Sequence, residues 1–399
     1  MTLELKQIAP QVKTMGETLD QQARSKHTLA QQVKALLKEH ATAFAALEER
    51  VRRAEQVQEA ARFSWLGAAP AGEPLDQYYP PPAGPEAVTI LASDGSQIYP
   101  DRHAMALYYL INVGAIVYQP GSQSPPDTIT SPTLYYKEED LLDKQGLLIS
   151  ASLVNVKRDL AEIEILANLT AAYQTGQQPV VALIDGRLTL RTIDLPGREQ
   201  AFYEKQYLKC LAQIQQRQSI IAAYIDRPHS SFVIPLLYLA SLKPEAITED
   251  ALRHNPFAGL MDSRLFDDLG PGERTAIFNQ RAKANVAYAK AGHQVHFFYL
   301  NTGSPARPNL VRVEIPVWVA KDPDRLNILH AALLRQARLA GGYPYVLARA
   351  HELAVITPHE REALETMLSV SLLRQGQSTS VSQKQHHKNL LGGQESFKL

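Results

Sequence analysis

The sequence predicts an α/β fold: a mixed sheet flanked by helices, with a long helical segment in front of it. Three observations carry this expectation. Two short apolar runs of strand length, 88–92 and 179–184, lead into the pairs Asp94-Gly95 and Asp185-Gly186. Between them, residues 151–173 repeat apolar side chains at helical spacing. The first 67 residues are rich in Ala, Gln, Glu, Lys and Arg, with apolar residues recurring every three or four positions. Period 2 or a short apolar run marks strands, and a period near 3.6 marks amphipathic helices.

Along the chain, Leu29, Val33, Leu36, Leu47, Val51 and Ala54 define a long amphipathic helix or helix pair, strongest over 27–63, with Pro10 and Gly16 interrupting it early. Its polar face leaves two roles open: dimerising or docking a partner, or lying along its own domain. Residues 68–87 hold Pro70, Pro74, Pro80, Pro81, Pro82 and Pro85 and read as an extended linker, because proline fixes φ and removes a backbone donor. A buried strand at 88–94, a strand pair within 103–118 and a short strand at 132–137 follow. The helix at 151–173, the strand at 179–184, a helix at 199–218 and a strand at 220–225 come next. A short helix is expected at 235–242, strands at 293–300 and 310–318, a helix at 325–339, and another helix after Gly341-Gly342-Tyr343-Pro344. This gives four regions: helical 1–67, linker 68–87, a domain at 88–373, and a disordered Gln/Ser/His-rich tail at 374–399.

Composition bounds the class without choosing a function. The 399 residues are 45% hydrophobic and 21% charged, with 41 basic and 41 acidic side chains. A neutral chain has no overall positive field, so any nucleic-acid contact must come from a local patch. The single cysteine, Cys210, cannot form an internal disulfide and lies in a helical run, which points to a buried thiol in a reducing compartment. No apolar run approaches the ~20 residues of a membrane span, and no basic-then-apolar leader opens the chain. The expected location is the cytoplasm, with no membrane association.

The chemistry gathers at the two Asp-Gly pairs. In an open α/β sheet, strand ends converge on the edge where ligands bind. Asp94 and Asp185, each read as a strand-ending acid followed by a glycine turn, can share a hard divalent cation, Mn²⁺ or Mg²⁺. Taken singly, each pair reads more readily as an ordinary turn; the two together, each after a buried strand, bring the metal reading level with it. The intervening helix offers Glu162 and Glu164, either a solvated face residue or a third ligand. An acid on the first strand, one on the helix, and one on the following strand is an order that resembles the RNase H-like arrangement of a two-metal phosphodiesterase. His351, on an Ala- and Leu-bearing helix, reads as a satisfied structural residue or as a ligand and proton carrier. His386 and His387 sit in a Gln/Lys/Ser setting that builds no core. Arg102, Arg187, Arg191 and Arg227 lie on or just after the motif loops and are candidates for phosphate contact. Tyr99 either stacks a base or packs over a strand edge.

Five segments carry a family resemblance: Ser93-Asp-Gly-Ser-Gln97, Leu183-Ile-Asp-Gly-Arg-Leu188, Ala223-Tyr-Ile-Asp-Arg-Pro228, Gly272-Glu-Arg-Thr275 and Tyr343-Pro-x-x-Leu-x-x-Ala-His351. In this order they resemble the signatures of NurA-domain nucleases, over about 88–373. The resemblance implies an RNase H-like fold and Mn²⁺-dependent nuclease activity on single- and double-stranded DNA, as single-strand endonuclease and 5′-to-3′ exonuclease. It also implies partnership with a HerA-like hexameric ATPase in DNA end resection, and so association with the nucleoid when active. The amino-terminal helix, as the available dimerising or docking surface, points to a homodimer. Carried over by position, Asp94, Asp185 and His351 match the family's metal-site residues, and Tyr224 matches an active-site tyrosine. Arg158-Asp-Leu-Ala-Glu162 matches an Arg-x-x-x-Glu stretch, which favours Glu162 over Glu164. Arg227, beside Pro228, either holds a phosphate bidentately or makes a salt bridge beneath its loop. Thr275 departs from the serine common in the family. Two other readings keep the fold: a non-catalytic RNase H-like adaptor, and a metal-dependent ribonuclease or phosphatase, since the ligands alone do not discriminate DNA from RNA.

Overall fold

The computed structural model describes residues 5–376 except 103, 123, 143–145 and 177. The expected tail at 374–399, with His386 and His387, lies outside the described residues beyond 376. The main elements are α1 (Leu5–Glu39), α2 (Phe44–Ala61), β1 (Gly67–Pro70), β2 (Thr89–Ile98), β3 (Tyr109–Tyr118), β4 (Asp127–Tyr135), α3 (Ala151–Tyr173), β5 (Val180–Asp185), α4 (Gly197–Gln216) and β6 (Ile220–Ile225). They continue as α5 (Val233–Ser241), β7 (Phe278–Arg281), β8 (Val295–Asn301), β9 (Leu310–Pro316), α6 (Pro323–Leu339), α7 (Tyr345–Ala354) and α8 (Pro358–Arg374). The class is mixed α/β, with helices flanking the strands. None of the described helices is long and apolar enough to cross a membrane.

The chain divides into two compact units, each assembled from three separate stretches. One comprises 1–84, 186–189 and 222–343; the other comprises 85–185, 190–221 and 344–399. This interleaved division depends on long-range packing and leaves no mark in local composition.

In the first unit the strands run in the order β1-β7-β8-β9-β6, antiparallel at every described pairing. The amino-terminal segment is a helix pair. Its apolar stripe (Val33, Leu37, Leu47, Val51 and Ala54) is buried in one core with Val233, Ile234 and Leu237 of α5 and with Phe278, Phe297 and Tyr299. Of the two roles the sequence left open, this stripe serves its own unit. The start of α5 is capped from a distance. Asp262, fully buried, accepts the backbone N–H groups of Phe232, Val233 and Ile234 at 2.7–3.1 Å and the Tyr299 hydroxyl at 2.8 Å. It thereby satisfies donors that a helix start leaves unpaired. Burial raises the Asp262 pKa despite these bonds.

The segment expected as a linker, 68–87, begins within β1, an edge strand paired with β7, where Pro70 is tolerated because an edge leaves one side of the backbone without a ladder. Ala68, Ala69 and Leu75 are fully buried. Glu73 accepts the Arg274 guanidinium through both oxygens at 2.9 Å and the Ile277 N–H at 2.8 Å. The same guanidinium lies 3.9 Å from the centre of the Tyr79 ring. The prolines hold this segment extended, and the Gly272–Thr275 motif holds it down.

In the second unit the order is β5-β2-β3-β4, with β2 parallel to β5 and antiparallel to β3, which is antiparallel to β4. A three-strand meander, a helix, and a return strand parallel to the first form the RNase H-like arrangement. Residues 109–118 form one strand, not the expected pair. Alternation along β2 assigns its two faces. Ser93 and Gly95 face α3, as the Ser93 hydroxyl donating to the Glu162 carbonyl at 3.0 Å shows. Asp94 and Ser96 face α7, where the Ser96 hydroxyl donates to the Ala354 carbonyl. Gly114, paired with Asp94, permits this packing, since a Cβ there would lie 2.5–2.7 Å from the α7 backbone.

Candidate active site

Asp94 is held at the middle of β2, one residue before a glycine that the sequence suggested as a turn. Gly95 continues the strand as far as Ile98 and has no positive φ. The reason for glycine here is contact: an added Cβ would stand 2.6 Å from both Arg158 Cγ and Glu162 Oε1 on α3. The second pair follows expectation, because Asp185 ends β5 and Gly186 turns with φ +95°.

Each carboxylate has a defined setting. Asp94 Oδ1 accepts the Gly95 N–H at 2.8 Å, and Oδ2 lies 2.6 Å from His351 Nδ1 on α7. The His351 ring is two-thirds exposed, whereas the Asp94 side chain is 20% exposed. A hydrogen bond from Nδ1–H to a carboxylate fixes the tautomer and leaves Nε2 on the open side. Asp185 is exposed at its strand end. Glu162 lies at the base of the site, 12% exposed, with Oε1 3.2 Å from Arg158 Nε. That contact lacks hydrogen-bond geometry, so Oε1 is a buried oxygen without a hydrogen bond. Burial pushes the Glu162 pKa well up, and the nearby charges of Asp159, Asp94 and Asp185 push it the same way, while Arg158 opposes them. Glu164, by contrast, is exposed.

Arg158 is the residue that sequence reasoning underused. Its Nε and Nη2 donate to Asp159 Oδ1 at 3.1 and 2.5 Å, and its Nη1 donates to Gln97 Oε1 at 3.1 Å. Gln97 Nε2 donates to the Tyr99 hydroxyl at 2.8 Å, which donates to Asn155 Oδ1 at 2.6 Å. A chain of polar contacts thus runs from Glu162 to Tyr99. The i,i+4 spacing of Arg158 and Glu162 was a legible signal for its first link. Tyr99 remains 40% exposed, and Arg102 is exposed nearby in sequence. Among the described residues, no three His, Cys, Asp or Glu side chains form a closed metal-ligand group. Asp94 projects from the α7 face of β2, whereas Glu162 and Arg158 pack on its α3 face, against Gly95. The donor chemistry still suits a hard cation: carboxylate oxygens that repel one another, one of them buried and without a hydrogen bond.

Of the remaining predicted site residues, Tyr224, Arg227 and Arg187 belong to the first unit and Arg191 to the second. Tyr224 is completely buried; its hydroxyl donates to the Gly342 carbonyl at 3.2 Å, and its ring meets Tyr343 edge-on at 5.4 Å. Arg227, at φ +45°, is 84% exposed and lies 3.7 Å from its neighbour Asp226. Arg187 is exposed just after Gly186. Its turn is anchored by the Leu188 N–H donating to Glu314 Oε2 at 2.9 Å. Arg191 is exposed and pairs with Asp194 at 3.5 Å.

Comparison with known families gives one domain match: the NurA domain, over residues 88–356. This is two-thirds of the chain and holds every one of these site residues. The chain belongs to the NurA domain family of nucleases. No curated protein matches it. Among solved structures it is similar to the NurA nuclease from Sulfolobus solfataricus, at 11% identity and TM-score 0.49, over 82% of this chain and 92% of that one. It is also similar to a NurA solved with manganese, at 12% identity and TM-score 0.39, over 73% of this chain and 91% of that one. A third similar structure is the catalytic domain of human Endonuclease V, at 12% identity and TM-score 0.31, over 71% of this chain and 85% of that one. Helices α1, α2 and α8 lie outside the NurA match.

Proposed function

We propose that this chain is a metal-dependent deoxyribonuclease whose metal is held by Asp94, Glu162 and Asp185, with His351 beside them. The observation that carries the reading is the Glu162 carboxylate. Within a NurA domain it is buried, keeps an oxygen without a hydrogen bond, and has its pKa raised by burial and by the nearby charges of Asp159, Asp94 and Asp185. Such a site gains from a divalent cation what it loses to repulsion. When bound, Mn²⁺ or Mg²⁺ supplies activation of water and stabilisation of the leaving oxygen, in the two-metal manner.

The chain's own residues do the rest. Asp94 Oδ2 orients the His351 ring so that Nε2 can hold or deliver a proton on the open side. Arg158 holds Glu162 against β2 and, through Gln97, fixes the Tyr99 hydroxyl, so the exposed Tyr99 ring is a ready platform for one base. Arg102, Arg187 and Arg227 neutralise backbone phosphates without reading sequence. Tyr224 acts as a positioning residue beneath Gly342. A role in end resection as a homodimer with a HerA-like ATPase follows from the family reading. The exposed residues Leu5, Val12, Met15 and Leu19, at alternating heptad spacing with Ile8, support helix-mediated pairing of two copies.

The test is cleavage of labelled single- and double-stranded DNA and RNA with Mn²⁺, Mg²⁺ or chelator. Asp94→Ala, Asp185→Ala and Glu162→Gln should each lower metal-supported cleavage of DNA by more than about tenfold while leaving the fold intact, with Glu164→Gln unchanged. Retention of activity in the Asp94 and Asp185 variants would remove the assignment.

A further inference from the structure

Within the first unit, a groove of about 880 Å³ opens beside the segment that follows β6. Its walls are Asp226 and Arg227, the turn at 302–309 between β8 and β9, and the end of α6 with Gly341, Gly342 and Tyr343. Three arginines line it, Arg227, Arg307 and Arg338, against one carboxylate, Asp226. All three are exposed, and among the described residues neither Arg307 nor Arg338 is ion-paired to a carboxylate. On a chain of zero net charge this is a concentrated positive patch.

The floor of the groove is built and fixed. The Gly342 carbonyl accepts hydrogen bonds from the Thr302 hydroxyl at 2.8 Å, Asn309 Nδ2 at 3.2 Å and the Tyr224 hydroxyl at 3.2 Å. Those donors saturate an oxygen that would otherwise repel an anion. They also pin the Gly341–Gly342 turn, whose φ values of +69° and +116° favour glycine. Tyr343 follows directly, half-buried, with one edge against Tyr224.

We propose that this groove binds the backbone of a single-stranded nucleic acid, with Arg227, Arg307 and Arg338 on successive phosphates and Tyr343 stacking one base. The inference deepens the nuclease reading and rests on it for the substrate class. Guanidinium groups match phosphate in shape and charge, and an aromatic ring accepts any base, so the site holds a strand without selecting a sequence. It adds Arg307, Arg338 and Tyr343 to the residues that recognise substrate.

The experiment measures binding of fluorescent oligo(dT) in chelator, where no cleavage occurs, across a salt series. A triple variant, Arg227→Gln, Arg307→Gln and Arg338→Gln, should bind at least about 30-fold more weakly near 0.1 M salt. Its plot of log Kd against log salt should flatten by about 2, since each lost single-strand phosphate contact removes about 0.7. Tyr343→Ala should weaken binding about tenfold without changing that slope. A control triple on α1 and α2, Lys6→Gln, Lys13→Gln and Arg53→Gln, should change neither quantity. If the arginine triple keeps wild-type affinity and slope, or weakens no more than the control, the groove assignment is overturned. Cleavage by the wild type with Mn²⁺ is scored separately. A protein that cleaves but shows no arginine dependence refutes the groove alone; one that shows the dependence but never cleaves refutes the nuclease reading alone.

Discussion

Replacing Gly95 by alanine tests the geometry of the site more sharply than removing a ligand. The new Cβ would stand 2.6 Å from Arg158 Cγ and from Glu162 Oε1, and 3.1 Å from Arg158 Cδ, where ordinary contact begins near 3.4 Å. Something must move by about 0.8 Å, the difference between those two distances. The Glu162 carboxylate is a chain end and can swing, but Arg158 Cγ is mid-chain on a side chain tied to Asp159 and Gln97. We therefore expect a modest stability cost, about 1–2 kcal/mol, from local overpacking. At about 2–4 °C per kcal/mol for units of this size, Tm should fall by roughly 2–8 °C. The cost to cleavage should be larger, about 100-fold, because a misplacement near 1 Å at a reacting site has that effect. Differential scanning fluorimetry and single-turnover cleavage with saturating Mn²⁺ measure the two quantities on one preparation. A variant with wild-type Tm and wild-type cleavage would refute the claim that Gly95 exists to admit Arg158 and Glu162. A large loss of Tm with cleavage retained in the folded fraction would refute the coupling to the site.

Burial lowers the pKa values of His330 and His296 from 6.5 to about 4. Each stays neutral in the fold while the unfolded chain takes up a proton, so their contribution is full above pH 6.5 and is lost as pH falls towards 4. The sum approaches about 3 kcal/mol per histidine, read from denaturant midpoints; in His330→Gln the acid-side loss should shrink, and an unchanged pH profile would contradict this. Asp262→Ala strands three backbone donors at the start of α5 and should cost about 3 kcal/mol or more in urea unfolding, whereas a loss below about 1 kcal/mol would mean those donors find other partners. Cys210 is 6% exposed and its thiol is pushed up to about 11 by burial. It should react with a thiol reagent only after unfolding, and prompt labelling of the native protein at pH 8 would show otherwise.

The fold was legible wherever one local pattern had one meaning. Apolar runs at 88–92 and 179–184 became β2 and β5, the helical period at 151–173 became α3, and Asp185-Gly186 became a strand end with a left-handed glycine. Asp94-Gly95 had the same spelling and a different cause. A glycine after an acid serves a turn or a close approach, and only the helix arriving from 60 residues later distinguishes them. β7 is four residues long, too short to show a period, and β1 was hidden among prolines because an edge strand can carry one. Asp94, Glu162, Asp185 and His351 could be named from the sequence as candidates. Arg158 as the cation beside Glu162, and Tyr224 as a buried support for Gly342, depend on packing that residue order alone does not express.

The interleaving of the two units has a consequence for how this chain is made and how it is cut. The first unit closes late: helices α1 and α2 leave the ribosome before α5, β7 and β8, against which their apolar stripe is buried and which are synthesised some 170 residues or more afterwards. During that interval Val33, Leu47 and Val51 have no native cover, a period in which a holding chaperone or a nascent second copy would find its best target. Nor can either unit be recovered by truncation, because each runs through three stretches of sequence. A cut at residue 85 separates α1, α2 and β1 from the core they complete. Limited proteolysis should therefore release no stable fragment from the interior of the chain, and fragments 1–84 and 85–399 should regain solubility only when expressed together.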